Sequence, residues 1–208
     1  ALSAALSSAA GVAGNKPWPR PTIVPVPAAV AGVAQPVVSL NGQWKINREP
    51  SAEFWRNAID PSSWSDANVP GGGRGGGGGR GGGSAAYAYK RKVAIPADFA
   101  GKRVILRLDG VSNDAKVWVN GNFIRDHWGS FMPWSCDITE HVTAGQEAWI
   151  SIGVDDRREG LAAFVRGGGI QRDVKLIAVP ADYLARFHVE TDFDKSYRDA
   201  TLKVRLMM

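Results

Sequence analysis

From Val37 onward, apolar and polar positions alternate in short runs. In RVILRLDG, Val104, Leu106 and Leu108 point one way while Arg103, Ile105, Arg107 and Asp109 point the other, the period of two of a half-buried strand. AKVWVNGNFI repeats the pattern, with Lys116 and Trp118 on one face and Val117 and Val119 on the other. It contains Asn120-Gly121, a pair that tolerates positive φ and is the strongest short signal for a tight hairpin. AWISIGV aligns Ile150, Ile152 and Val154, and DVKLIAV aligns Val174, Leu176 and Ala178. Helical periodicity is confined to SAEFWRNAI (51–59), which predicts one short helix. Strands separated by Gly, Pro and Asp turns predict an all-β chain folded as a sandwich or jelly roll rather than βαβ units.

The first 36 residues depart from this texture. ALSAALSSAAGVAG is small, apolar and uncharged, like the end of a secretory signal peptide, and sets the expectation of a periplasmic or secreted protein, with a cytoplasmic one left open. Five prolines between Pro17 and Pro27 favour an extended, semi-rigid lead-in. There is no run of eighteen apolar residues of the kind that spans a bilayer, so no membrane partner is expected.

Composition narrows the classes. With 208 residues, 44% hydrophobic content and eight tryptophans, the chain can build a substantial core. The net charge of +5 permits a polyanion partner, yet the basic residues are dispersed. GGGRGGGGGRGGGS (71–84) invites an RNA-binding reading because arginine-glycine segments contact single strands by charge and stacking. A working RGG box needs more arginines and interleaved aromatics, so no nucleic-acid partner is expected and the tract reads as a flexible connection. The single cysteine, Cys136, excludes an internal disulfide.

Candidate chemistry is sparse. Trp128, Phe131 and Trp134 in HWGSFMPWSCDIT offer aromatic faces, which suit the apolar side of a pyranose as well as a core. Gly167 to Gly169 lack the spacing of a phosphate loop and read as a close backbone turn. Arg172 and Asp173 read as a structural ion pair or a domain-interface contact. Of the carboxylates, Asp155, Asp156, Glu159, Asp192 and Asp194 form no pair of the kind a retaining glycosidase needs, about 5 Å apart, and read as solvated charges. His127, His141 and His188 lack metal-site spacing, and neither a metal nor a cofactor is expected.

Four stretches together carry a resemblance: LNGQW (40–44), YKRKVAIP (89–96) with KRVILRLDGVSNDAKVWVNGNFI (102–124), GSFMPWSCDIT (129–139) and GGIQRDVKL (168–176). In this order they resemble the N-terminal sugar-binding domain of glycoside hydrolase family 2, the family of β-galactosidases, β-glucuronidases and β-mannosidases. The resemblance implies a galactose-binding-like jelly roll over 37–181, after the Ala/Pro-rich lead-in (1–36), and the first strands of an immunoglobulin-like sandwich over 182–208, with LARFHVETDF and DATLKVRL as its opening pair. It implies a parent exo-β-glycosidase, retaining and of β-galactosidase type, acting on O-glycosidic bonds in carbohydrate metabolism. The two catalytic glutamates of such an enzyme lie in a (β/α)₈ barrel, which takes about 250 residues and has no counterpart here, so this chain is expected to be inactive alone. Its expected partners are a carbohydrate substrate, the barrel and immunoglobulin-like domains of the same parent, and further copies of itself in a homo-oligomer. The glycine tract falls in a variable loop of the family and reads as an engineered replacement or placeholder. Where several members carry a substrate-holding aspartate before the GI-x-R segment, this chain has Ala163, and Arg166 is the nearest polar substitute, suited to a carboxylate or sulfate on an anionic sugar. Trp128, Trp134 and Arg166 are thus the candidate substrate contacts, with no catalytic residue assigned. A stand-alone carbohydrate-binding module is the alternative reading.

Overall fold

The computed structural model describes residues 26–71, 86–155 and 168–208. The alanine-rich start, most of the glycine tract, and Asp156, Glu159, Ala163, Arg166 and Gly167 lie outside the described residues.

The chain forms the all-β sandwich that its alternation predicts. Four strands make one sheet in the order β1 (Val37–Ser39), β12 (Val174–Val179), β5 (Arg103–Leu108), β9 (Trp134–Asp137). Six make the other: β3 (Ser65–Val69), β2 (Gly42–Asn47), β4 (Ala86–Ala94), β10 (Glu147–Asp155), β7 (Asp114–Val119), β8 (Asn122–Trp128). A short ladder joins β6 (Val111–Ser112) to β11 (Gly169–Ile170), and β13 (Arg186–Phe193) pairs β14 (Ala200–Met207) as a separate hairpin. All the pairings are antiparallel.

The inward faces follow the period of two. Val104, Leu106 and Leu108 meet Ile150, Ile152 and Val154 in one buried cluster that includes Val174, Leu176 and Ala178. Each such side chain contributes on the order of 2 kcal/mol through removal from water. The opposite positions of the four-stranded sheet also bury something: Ile105, Ile177 and Val179 form a second cluster with Val37 and Tyr183. The Asn120-Gly121 hairpin is present between β7 and β8, with φ of 47° and 81°.

The corner between the two sheets explains why LNGQW and GGIQRDVKL read as motifs. As the chain passes from β1 to β2, Leu40 N donates to Val174 O at 2.8 Å. Asn41 Nδ2 donates to Asp173 Oδ1 at 2.9 Å, and Asn41 Oδ1 accepts from Val174 N at 3.1 Å. Arg91 Nη1 donates to the carbonyls of Leu40 and Asn41 at 2.6 and 3.2 Å, its guanidinium 5.8 Å from the Trp44 ring centroid. The buried Trp44 indole donates to Leu40 O at 2.8 Å.

The helix expected over 51–59 does not form. The segment is a chain of turns, closed by Phe54 N to Ser51 O, Arg56 N to Glu53 O and Ile59 N to Arg56 O. Two forces outweigh local propensity. Phe54 packs edge-on to Trp118 at 5.2 Å and Trp55 stacks parallel to it at 6.1 Å, drawing the segment onto the outer face of the six-stranded sheet. The fully buried Lys90 meanwhile donates to the carbonyls of Arg56 and Ile59 at 2.7 and 2.8 Å, taking acceptors that a continuing helix would pair with its own amides. Burial lowers the pKa of Lys90, and Asp60 works against that shift.

Replacing Lys90 by methionine removes the ammonium from both carbonyls; Arg56 O keeps Ile59 N, and Ile59 O loses its Lys90 donor. It should cost about 2 kcal/mol, read as a lower urea midpoint, and should open 51–64 to limited proteolysis before the sheets unfold.

Candidate functional site

One end of the sandwich gathers the irregular segments. Gly71 N donates to Ile170 O at 3.0 Å, so the end of β3 meets β11, and Gly129 N donates to Asn113 O at 2.9 Å, tying the β8–β9 connection to β7. Ser130 Oγ donates to Asn113 Oδ1. Between these segments lies a cleft of about 460 Å³ lined by Pro70, Arg107, Asp109, Pro133, Arg172 and Asp173.

Its polar wall is an ion network. Asp109 accepts from Arg107 Nε and from Lys175 Nζ, both at 2.7 Å, and Lys175 also reaches Asp173 at 3.0 Å. Burial pushes the Asp109 carboxyl up, but hydrogen bonds from Arg107 and Lys175 outweigh it and hold the pKa below the usual value. The Asn41 amide, followed by Lys175, lowers that of Asp173. Lys175 is raised, chiefly by Asp109. These side chains therefore stay charged and mutually oriented around neutral pH.

Arg172 faces elsewhere. Its Nη1 donates to Phe131 O at 3.1 Å and its guanidinium lies 5.5 Å from the centroid of the exposed Phe131 ring. Gly110 makes this approach feasible, because a Cβ there would come within 3.0 Å of Arg172 Cδ and 3.1 Å of Ser130 O. The ion pair read for Arg172 and Asp173 is thus replaced by two separate contacts: Asp173 with Lys175, and Arg172 with Phe131.

The three aromatic residues of HWGSFMPW divide by burial. Trp128 ends β8 half-buried, opposite Asp114. Phe131 is 49% exposed. Trp134 lies in the core, fully buried, with Arg125 5.7 Å from its ring centroid and the His127 ring stacked at 4.8 Å, so it offers no face to a ligand in this structure. The alternation of WSCD could have signalled this, since Trp134 shares its face with the buried Cys136. The network of Arg107, Asp109 and Lys175 was not singled out by motif, because Lys175 comes from β12 and meets the pair Arg107 and Asp109, at the end of β5, only through sheet pairing.

Asp192 pairs with Lys203, and Asp194 accepts from Arg198 N at 2.8 Å in the β13–β14 turn. Asp155 ends β10 half-buried. Among the described residues no group of three His, Cys, Asp or Glu is placed to hold a metal ion, and no described helix is long and apolar enough to cross a membrane.

His127 is 3% exposed, and among the described residues neither of its ring nitrogens has a hydrogen-bond partner. Burial foremost, then the Arg125 charge, lowers its pKa from 6.5 to about 4. The folded chain therefore binds this proton more weakly than the unfolded chain does, so His127 leaves stability unaffected above about pH 6.5 and reduces it as pH falls towards 4. The loss should reach roughly 3 kcal/mol in urea midpoints measured from pH 7 to 4, and His127→Phe should flatten that part of the profile.

Comparison with known proteins agrees with the sequence resemblance. Residues 81–180 match the family described as "Glycosyl hydrolases family 2, sugar binding domain". A β-galactosidase of Thermoanaerobacter pseudethanolicus is 36% identical over 96 residues, covering 42% of this chain and 13% of that protein. A β-galactosidase of Halalkalibacterium halodurans is 26% identical over 200 residues, covering 81% and 20%, and a putative β-glucuronidase of Formosa agariphila is 28% identical over 152 residues, covering 68% and 14%. The chain thus spans a fifth or less of the length of these relatives. Among solved structures, the β-glucuronidase of an uncultured Clostridium sp. superposes with a TM-score of 0.66 at 23% identity, over 82% of this chain and 33% of that one. That of Ruminococcus gnavus does so with 0.67 at 21% identity, over the same shares. At these identities the structures speak for the fold alone.

Proposed function

From a chain whose residues 81–180 carry the family 2 sugar-binding domain, we propose that it is the non-catalytic sugar-binding and scaffolding part of a retaining exo-β-glycosidase of β-galactosidase type. The observation that carries this reading is the loop end: a cleft of about 460 Å³ with a charged wall and the Arg172–Phe131 pair at its rim. A concave site with a few oriented polar groups and an exposed ring is what a pyranose requires, and an exposed arginine stacked on a ring suits a domain contact equally. Trp128 and Arg166 complete the proposed substrate contacts. The β13–β14 hairpin supports its reading as the opening of an immunoglobulin-like sandwich, since Phe187, Val189, Val204 and Leu206 share one exposed face of it.

Hydrolysis in this account belongs to a barrel elsewhere in the parent. Among the described residues, the carboxylates of the cleft are held as charged partners of Arg107 and Lys175, unlike a raised-pKa acid facing a free nucleophile.

On a panel of nitrophenyl β-glycosides the parent protein should turn over at least one substrate and the 208-residue chain none. In the parent, Arg166→Ala should raise KM for an anionic glycoside and leave neutral ones unchanged. Turnover by the chain alone, or a parent inactive on every β-glycoside, contradicts the proposal.

A further inference from the structure

A second concavity, of about 360 Å³, opens on the outer face of the six-stranded sheet beside residues 60–62 and shares no lining residue with the loop-end cleft. The half-buried indole of Trp149 lines it, paired across strands with Lys92. The Nζ atoms of Lys90 and Lys92 lie 5.1 and 5.8 Å from the ring centroid, within cation–π range. Lys45 stands directly opposite Lys90 in the β2–β4 register. Like charges facing each other across a ladder are unfavourable, so this placement concentrates positive potential. Around the cleft, Lys45, Lys90, Arg91 and Lys92 stand against Asp60 and Asp66 in the lining and Glu147 beside Lys92.

The cations differ in availability. Lys90 is buried and committed to two backbone carbonyls, so it acts through its field. Lys45 pairs with Asp66 at 2.8 Å and Lys92 with Glu147 at 2.7 Å, but all four side chains are at least a third exposed, from 35% for Lys45 to 59% for Glu147. Exposed pairs of this kind contribute little, which leaves both ammonium groups able to turn to a better anion. Gln43 and Ser62 add neutral hydrogen-bonding groups to the lining.

We propose that this cleft binds a single pyranose carrying a carboxylate or a sulfate, with the sugar ring along Trp149 and its anion held by Lys45 and Lys92. The inference stands on this cleft's own residues and does not depend on the role of the loop end.

The test is titration of the full ¹⁵N-labelled chain with galacturonate, galactose 6-sulfate, galactose and inorganic sulfate, following the Trp149 indole N–H by NMR. At least one acidic sugar should shift that signal saturably, with Kd roughly tenfold below that of galactose and of sulfate alone; which of the two binds identifies the anion. Lys92→Ala, at an exposed position, should raise that Kd roughly tenfold without altering the rest of the spectrum, and Trp149→Phe should weaken binding while the fold is kept. A galactose affinity equal to that of the acidic sugars overturns the charge argument. Equal binding of sulfate overturns the sugar argument. Absence of a saturable shift, or binding indifferent to Lys92→Ala, overturns the site.

Discussion

The structure depends on the corner at Leu40 and Asn41. Here the chain leaves the four-stranded sheet and enters the six-stranded one, and the backbone there must be satisfied by groups from both. The Asn41 side chain does this from the inside, accepting from Val174 N and donating to Asp173 on β12's side, while Arg91 reaches over from β4 to hold the two corner carbonyls. The apolar core between the layers is large but non-directional. The corner adds direction, because its hydrogen bonds form in only one register of β2 against β12's end. Asp173, fixed by that corner, also anchors Lys175 and through it Asp109, so the charged wall of the loop-end cleft extends the clasp that joins the sheets.

Much of this was readable from the sequence wherever one face of a strand meets the core. β5, β10 and β12 announce themselves by alternation because a shift of one residue would turn their inward apolar set away from the core between the sheets. The Asn-Gly hairpin announces itself because few residues accept its backbone angles. The short helix failed for a non-local reason: its acceptors are taken by Lys90, 31 and 34 residues away, and its aromatic residues prefer the Trp118 ring. The outward positions of β5 and β12 mislead in the same way. Ile105 and Ile177 look like strand exteriors but are buried against Val37 and Tyr183, partners that no periodicity in either strand contains.

The candidate sites were less legible for the same reason. Trp128, Phe131 and Trp134 are equivalent as residue types, and only their placement separates the buried Trp134 from the exposed Phe131. Arg172 and Asp173, neighbours in sequence, point to different partners across the bend between β11 and β12, where Gln171 N and Arg172 N both donate to Gly110 O. In the proposed reading the domain carries its binding groups on its rim and outer surface while its interior is given to joining two sheets. That division suits a support for a sugar-processing neighbour: a rigid interior fixes the positions of the loops, and the loops and outer faces can differ from one such domain to the next without loss of the fold.

Amide hydrogen exchange on Asn41→Ala tests the central claim most directly. If the corner couples the sheets, protection should fall by a common factor, roughly thirtyfold for a loss of about 2 kcal/mol, in β5 and β12 as well as in β4 and β10. Protection that is unchanged, or lost in one sheet while the other keeps its own, would contradict it.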